Sequence, residues 1–319
     1  MFRLSCNIII IDPAGTTMLE LPFVNEIEIE KSRKTLTNTA KVTIARKLKV
    51  FKDSTQVDIN TIIKRGSKIE IQLGYDDNLE TKFTGYVARV DAKIPFTIAC
   101  EDEMWNLKQN SFTKVFGKVK VSEIVSYIYP GAAQVVDLEI GGITIKKAST
   151  AQVLLGLKKF GLQCYFDKGI LIVDFAGSVH TGKEVYYDFN TNVISNDLEY
   201  KRKEDTRIKV RGISKLHSGG KIEIVAGDND GEEHTLHYVN LDKQELQKIV
   251  NAEIDKLKVD GYENGFTTFG IPSIEPGDIA ILNDDDYPEH NGSFLIESVK
   301  TTFGMSGYRN VPNLERKLA

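Results

Sequence analysis

Residues Glu26 to Arg46 read EIEIEKSRKTLTNTAKVTIAR. Both ends of this stretch alternate apolar and polar side chains, the period-two signature of half-buried strands, and the polar middle links one strand to the next. Ile27 and Ile29 fall on one face of the first strand, with Glu26, Glu28 and Glu30 on the other. The same alternation recurs in KIEIQLGY (68–75), KFTGYVARVDAK (82–93) and PFTIACED (95–102). Gly66, the Gly74-Tyr-Asp-Asp run and Gly85 punctuate these segments as turns or bulges do. Strands of this kind expose edges unless closure or a second sheet hides them, so a small barrel or sandwich is predicted for the first third.

The period changes in the middle. VKVSEIVSYIY places Val121, Ile124, Val125 and Ile128 at helical spacing, with Ser122 as candidate cap. GGITIKKAS reads as a strand. STAQVLLGLKKFG reads as a helix with Val153, Leu154, Leu157 and Phe160 inward and Gly161 as its stop. LQCYFDKGILIVDF then reads as a hairpin turning at Asp167-Lys168-Gly169. Strand patterning returns in EVYYDF, VISNDLEYKRK, TRIKVRGISKL, GKIEIVAG and EHTLHYV, and again in GFTTFGIPSIEPGDIAIL and GSFLIESVKTTFG. One helix, 242–257, interrupts them. Leu246, Ile249, Val250, Ile254 and Leu257 form its apolar stripe, and Asp242 with Glu245 has capping-box spacing. The fold class is α+β and mainly β. The expected domains are an N-terminal β-barrel over 1–114, a small α+β module over 115–182, and a second β-barrel over 183–319 carrying the inserted helix across it. This order is not a βαβ series, which argues against a doubly wound enzyme fold.

With 319 residues, 41% apolar and 27% charged, the chain has ordinary globular composition and length for about two domains. A net charge of −4 excludes a protein built around bulk nucleic-acid charge. The opening MFRLSCNIIIIDPAG has a short apolar patch broken by Asp12 and Pro13, unlike a secretory signal, so synthesis in the cytoplasm is expected. Cys6, Cys100 and Cys164 lack disulfide or zinc spacing and read as reduced core thiols.

Reactive constellations are weak. His234 and His237 are three apart on a strand and so face opposite sides, and Thr235 stands where a zinc peptidase has Glu. His180, His217 and His290 are isolated in sequence. Asp228-Asn-Asp-Gly departs from a calcium loop because Ala226 replaces an acid, and it reads as a turn. Asp284, Asp285 and Asp286 read as a solvated loop, and Trp105 as a core or interdomain anchor. There is no nucleophile elbow, Walker loop or dinucleotide fingerprint. No catalytic, cofactor-binding or metal residue is therefore assigned, and no cofactor is expected. Two stretches are basic: 31–52, with Lys31, Arg33, Lys34, Lys41, Arg46, Lys47, Lys49 and Lys52, and 201–211, with six bases against Glu204 and Asp205. They read either as outward strand faces or as surfaces that meet acids of another copy, such as those at 228–233.

The order of these pieces resembles the hub proteins of phage tails and baseplates, related to the base of type VI secretion spikes. The resemblance is carried by EIEIEKSRKTLTNTAKVTIAR, by STAQVLLGLKKFGLQCYFDKGILIV, by EDTRIKVRGIS and by the closing IEPGDIAILNDDDYPEHNGSFLIESVKTTFGMSGYRNVPNLERKL. It implies two tail-tube-like barrels flanking smaller α/β parts, and a non-enzymatic homotrimer joining tail tube protein to spike protein in a contractile, phage or prophage-like device. It further implies a place in the virion tail or baseplate, no membrane partner and no sequence-specific nucleic acid, with the assembled channel free for genome passage. Two other readings compete: a carbohydrate-binding or carbohydrate-active β protein using Trp105 and exposed tyrosines, and a metal-dependent hydrolase using the His and Asp loops.

Overall fold

The computed structural model describes residues 3–16, 18–45, 47–49, 56–58, 62–91, 94–175, 182–216, 220–239, 241–258, 260–288 and 291–318. Strand Glu26–Ser32 buries Ile27 and Ile29 and keeps Glu26 and Glu30 in solvent, as its alternation predicts. On one side it pairs antiparallel with Thr39–Ile44. On the other it pairs with Gly292–Gly304, Ile29 opposite Thr301. That second pairing joins the N-terminal and C-terminal β regions. One 13-stranded sheet results, running from an edge at Val193–Asn196 through Phe266–Phe269, Gly307–Leu318 and Gly292–Gly304 to the 26–32 strand. It continues through Thr39–Ile44, Phe96–Glu101, Asn78–Asp91, Lys68–Tyr75 and Leu4–Ile11 to Met18–Leu21, with Ile279–Asn283 and Glu184–Asp188 branching from the 292–304 strand.

The mainly β α+β class holds. Where two separate barrels were expected, a single sheet carries two cores, and no closed barrel is formed by the strand pairings among the described residues. The first core holds Ile8, Ile27, Val42, Ile71 and Phe96, and Phe303 and Tyr308 from the C-terminal hairpin complete it. The second holds Val185, Tyr187, Phe266, Phe294 and Ile296. The opening apolar patch is itself a strand, with Ile8 and Ile10 buried, because it pairs with the 68–75 strand.

Between them lies a third core over residues 104–173, built on helices Val121–Ile128 and Thr150–Leu157. Ser122 does not cap the first helix; Lys120 occupies the cap position and makes no side-chain cap bond. Ser149 caps the second helix in a reciprocal box with Gln152, and Gly161 closes the following turn at φ +75°. Strands Leu162–Asp167 and Ile170–Phe175 turn through Lys168 and Gly169, both at positive φ, as a two-residue hairpin loop requires.

A fourth, small core holds helix Lys243–Leu257 against its own three-stranded sheet of Lys221–Gly227, Ile208–Lys215 and Glu232–Val239, not across a second barrel. The Asp242–Glu245 capping box forms. Leu246 and Val250 are fully buried, while Ile254 and Leu257 pack at the margin and Ile249 is only half-buried. Gly212 makes the close approach possible: a Cβ there would lie 2.6 Å from Val250. No helix among the described residues is long and apolar enough to cross a membrane.

Candidate junction between the cores

The polar link after the 26–32 strand threads between three of these cores, and its charged residues are spent there. Arg33 is 1% exposed. Its Nε donates to Tyr165 Oη at 3.2 Å, its guanidinium lies 5.5 Å from the centre of that ring, and it approaches Glu315 at 3.6 Å. Tyr165 belongs to the middle core's hairpin and Glu315 to the closing strand, so one side chain touches all three regions. Lys31 donates to both oxygens of Glu275 at 2.7 and 2.9 Å. Lys34 pairs with Glu297, and Lys158 Nζ donates to the Lys34 carbonyl at 3.0 Å.

Asn38 and Asp102 close the link. The Asp102 carboxylate accepts the backbone N–H of Asn38 at 2.9 Å and of Met104 at 3.0 Å, so it holds the link and the entry to the middle core together. Burial pushes this carboxyl up to about 6, against the opposing pull of those two hydrogen bonds. Asp278 acts similarly on the C-terminal side, accepting the N–H of Lys183 at 3.0 Å and of Glu275 at 2.9 Å. Its turn, Pro276-Gly277-Asp278, has the positive φ expected at Gly277, +94°. Lys82, almost fully buried, reaches Glu80 at 2.7 Å and Ser273 Oγ at 2.6 Å. The Lys82 hydrogen bond holds the Glu80 carboxyl below its usual range.

Lys31, Asn38, Lys82, Asp102, Tyr165 and Asp278 line a cleft of about 500 Å³. Lys31, Lys82 and Lys183 in its lining converge on residues 273–275, and the carboxylates of Asp102 and Asp278 accept backbone donors. Such an arrangement fastens modules together; it presents no activated nucleophile beside a base.

His234 aligns with Val210 and His237 with Ile213 across the neighbouring strand, so the two imidazoles lie on opposite faces of their sheet. Among the described residues no three His, Cys, Asp or Glu side chains gather to hold a metal. His180, His217 and His290 lie outside the described residues, as do Arg46 and Lys52. The cysteines are free and buried, and burial pushes the thiols up, Cys6 to about 11 and Cys164 to about 12. Trp105 stacks on Tyr86 with ring centres 5.5 Å apart and covers Gly66.

The basic stretches behave differently from the surface-to-surface expectation. Arg207 pairs with Asp230, and Arg211 pairs with Glu223 and Glu233. Lys209 reaches Glu233, Lys258 pairs with Asp228, and Lys201 pairs with Glu263. The acids at 228–233 thus neutralise the bases at 207–211 of their own chain, because the strands that carry them are neighbours. In the sequence Arg33 is one base among the eight of 31–52. Nothing in the pattern distinguished it or Asp102 from exposed neighbours.

The fold is similar to that of the tail protein from Neisseria meningitidis MC58, with a TM-score of 0.67 and 14% identity over 98% of this chain and 97% of that one. It is similar also to the 43 kDa tail protein of prophage MuSo2 from Shewanella oneidensis, with a TM-score of 0.65 and 18% identity over 97% and 98%. A third likeness is to the Escherichia coli c3393 protein, a component of the type VI secretion system, at 0.59 and 10% identity over 93% and 74%. No protein-family model and no curated protein sequence matches the chain. At these identities the likeness establishes the fold alone.

Proposed function

We propose that this chain is a structural, non-catalytic tail or baseplate hub protein of a phage or prophage-like contractile injection device, joining tail tube to spike as a trimer. The observation that carries the reading is likeness to tail proteins over nearly the full length of both chains. The internally fastened junction supports it, since a load-transmitting part needs modules that hold their relative positions. In this reading residues 1–114, 115–182 and 183–319 are the three parts of each copy. The protein is made in the bacterial cytoplasm and ends in the virion tail, with tube and spike proteins as its partners. Three copies would present six similar β portions, matching a sixfold tube on one side and a threefold spike on the other.

The test is a reconstruction of the assembled particle. Threefold placement of this chain between tube and spike is the expected result. A single copy, a twofold pair or six equivalent subunits would overturn it.

A further inference from the structure

Among the described residues, a basic surface on the middle core is only partly answered by carboxylates of its own chain. Strands Phe112–Phe116 and Ile143–Ala148 form a two-stranded ribbon on the middle core. Residues 112–120 and 143–148 together hold five lysines and no acid. Lys118 pairs with Glu139 and Lys120 with Asp137, each at 2.8 Å. Lys114, Lys146 and Lys147 have no carboxylate partner among the described residues. The Lys114 ammonium instead lies over the rings of Phe116 and Tyr127, at 4.6 and 4.2 Å. Val115, 73% exposed, alternates with Lys114 and Phe116 and so gives the opposite face of the ribbon an apolar residue beside Thr144.

Lys147 adds an independent observation. Its φ is +45°, in the left-handed region, where glycine or asparagine sits at less cost. It lies opposite the register skip between Phe112 and Lys114, and its N–H donates to Thr113 Oγ1 at 3.2 Å. An unbroken strand would send Lys146 and Lys147 to opposite faces; here both are exposed. Backbone strain at a solvent-facing lysine points to a use for its side chain.

The chain also carries a surface of opposite character. Asp188, Asp284, Asp285 and Asp286 gather at the end of the 279–283 strand beside Tyr287, which is 57% exposed. Their partners are amides: Asn283 Nδ2 donates to Asp188 at 3.0 Å, and Asp284 accepts the N–H of Asp286 at 2.9 Å. No cation answers these four carboxylates among the described residues. Loop and ribbon sit on different cores, and no ion pair joins them among the described residues.

We propose that the lysine and aromatic ribbon of one copy docks on the acidic Asp284–Tyr287 loop of a second copy, in a head-to-tail contact that repeats around the assembly. This rests on the multi-copy reading above. Charge complementarity selects the pairing and its register, and Val115 against Tyr287 supplies apolar contact beside the charges.

The experiment is charge reversal in the full-length chain, with self-association followed by sedimentation at low salt and copy number by particle imaging. Lys146→Glu with Lys147→Glu, or Asp285→Lys with Asp286→Lys, should each weaken association by about tenfold or more. A chain carrying all four reversals should regain it. Lys147→Gly should keep or raise the melting temperature while weakening association, which separates interface loss from misfolding. If the particle holds several copies yet neither reversal changes association, the docking proposal is overturned and the tail reading stands. If the particle holds a single copy, both fail. Binding of a single-stranded oligonucleotide that depends on Lys146 and Lys147, with association indifferent to all reversals, would assign the ribbon to nucleic acid and overturn the proposal.

Discussion

Asp102 shows how a buried carboxyl can serve a junction and still weigh on stability. Its two backbone donors hold the ionised form, but removal from water costs more than they return, and the carboxyl stands at about 6 against an ordinary 3.8. A raised acid favours the folded state while protonated. Its contribution is therefore fully present below the unfolded value and lost as pH rises through the folded one, on the order of 3 kcal/mol in all. Asp102→Asn does not titrate. The variant's stability relative to wild type should thus rise by that order between about pH 4 and pH 7, measured by urea unfolding at a series of pH values. A difference that stays flat across this window would show the group to be ordinary. Arg33 poses the complementary case, a cation taken from water and held by Tyr165 and Glu315. Neither residue was legible in the sequence, because burial of a charged side chain between modules leaves no periodic trace.

Helix 243–257 was legible in kind and partly wrong in detail. Capping chemistry is local, so Asp242 and Glu245 could be read directly. The stripe was not fully fixed by spacing. A helix packed on a narrow three-stranded sheet buries a band centred on Leu246 and Val250, and Ile249 falls at its edge. Leu246→Ala should cost about 2–5 kcal/mol in chemical denaturation. Ile249→Ala should cost clearly less, and Lys248→Ala should be near neutral. Equal losses at Leu246 and Ile249 would mean the helix is rotated from this packing. Ser122 failed as a cap for a similar reason. The helix begins at Val121 directly after a strand ending at Lys120, so the serine is already inside it.

At the scale of the molecule, the strands themselves were legible and their partners were not. Alternation identifies a half-buried strand, but nothing local in EIEIE says that its neighbour lies at the other end of the chain. The 292–304 strand is central, bonded on one side to 307–318 and on the other to 26–32. Proline in such a position removes a ladder bond, which is why it is found on edge strands and bulges and not in central strands. Thr301→Pro should therefore expose both halves together. In hydrogen exchange, amides of 39–44 and 96–101 should lose protection along with those of 266–269 and 307–318. Loss confined to the C-terminal strands would mean that the sheet is continuous in geometry but not in cooperativity.

The pairing of Ile29 with Thr301 also sets a timetable for synthesis. Roughly 270 residues separate the two. At ordinary bacterial translation rates of about 5–20 residues per second, the 26–32 strand leaves the ribosome some 15–55 s before its mate exists. During that interval its outer edge is open to any passing strand, and a long-range pairing of this kind forms slowly even when both partners are present. Glu26, Glu28, Glu30 and Lys31 then have a second task. As charges along an unpaired edge, they discourage a neighbouring nascent chain from taking the place reserved for residues 298–304.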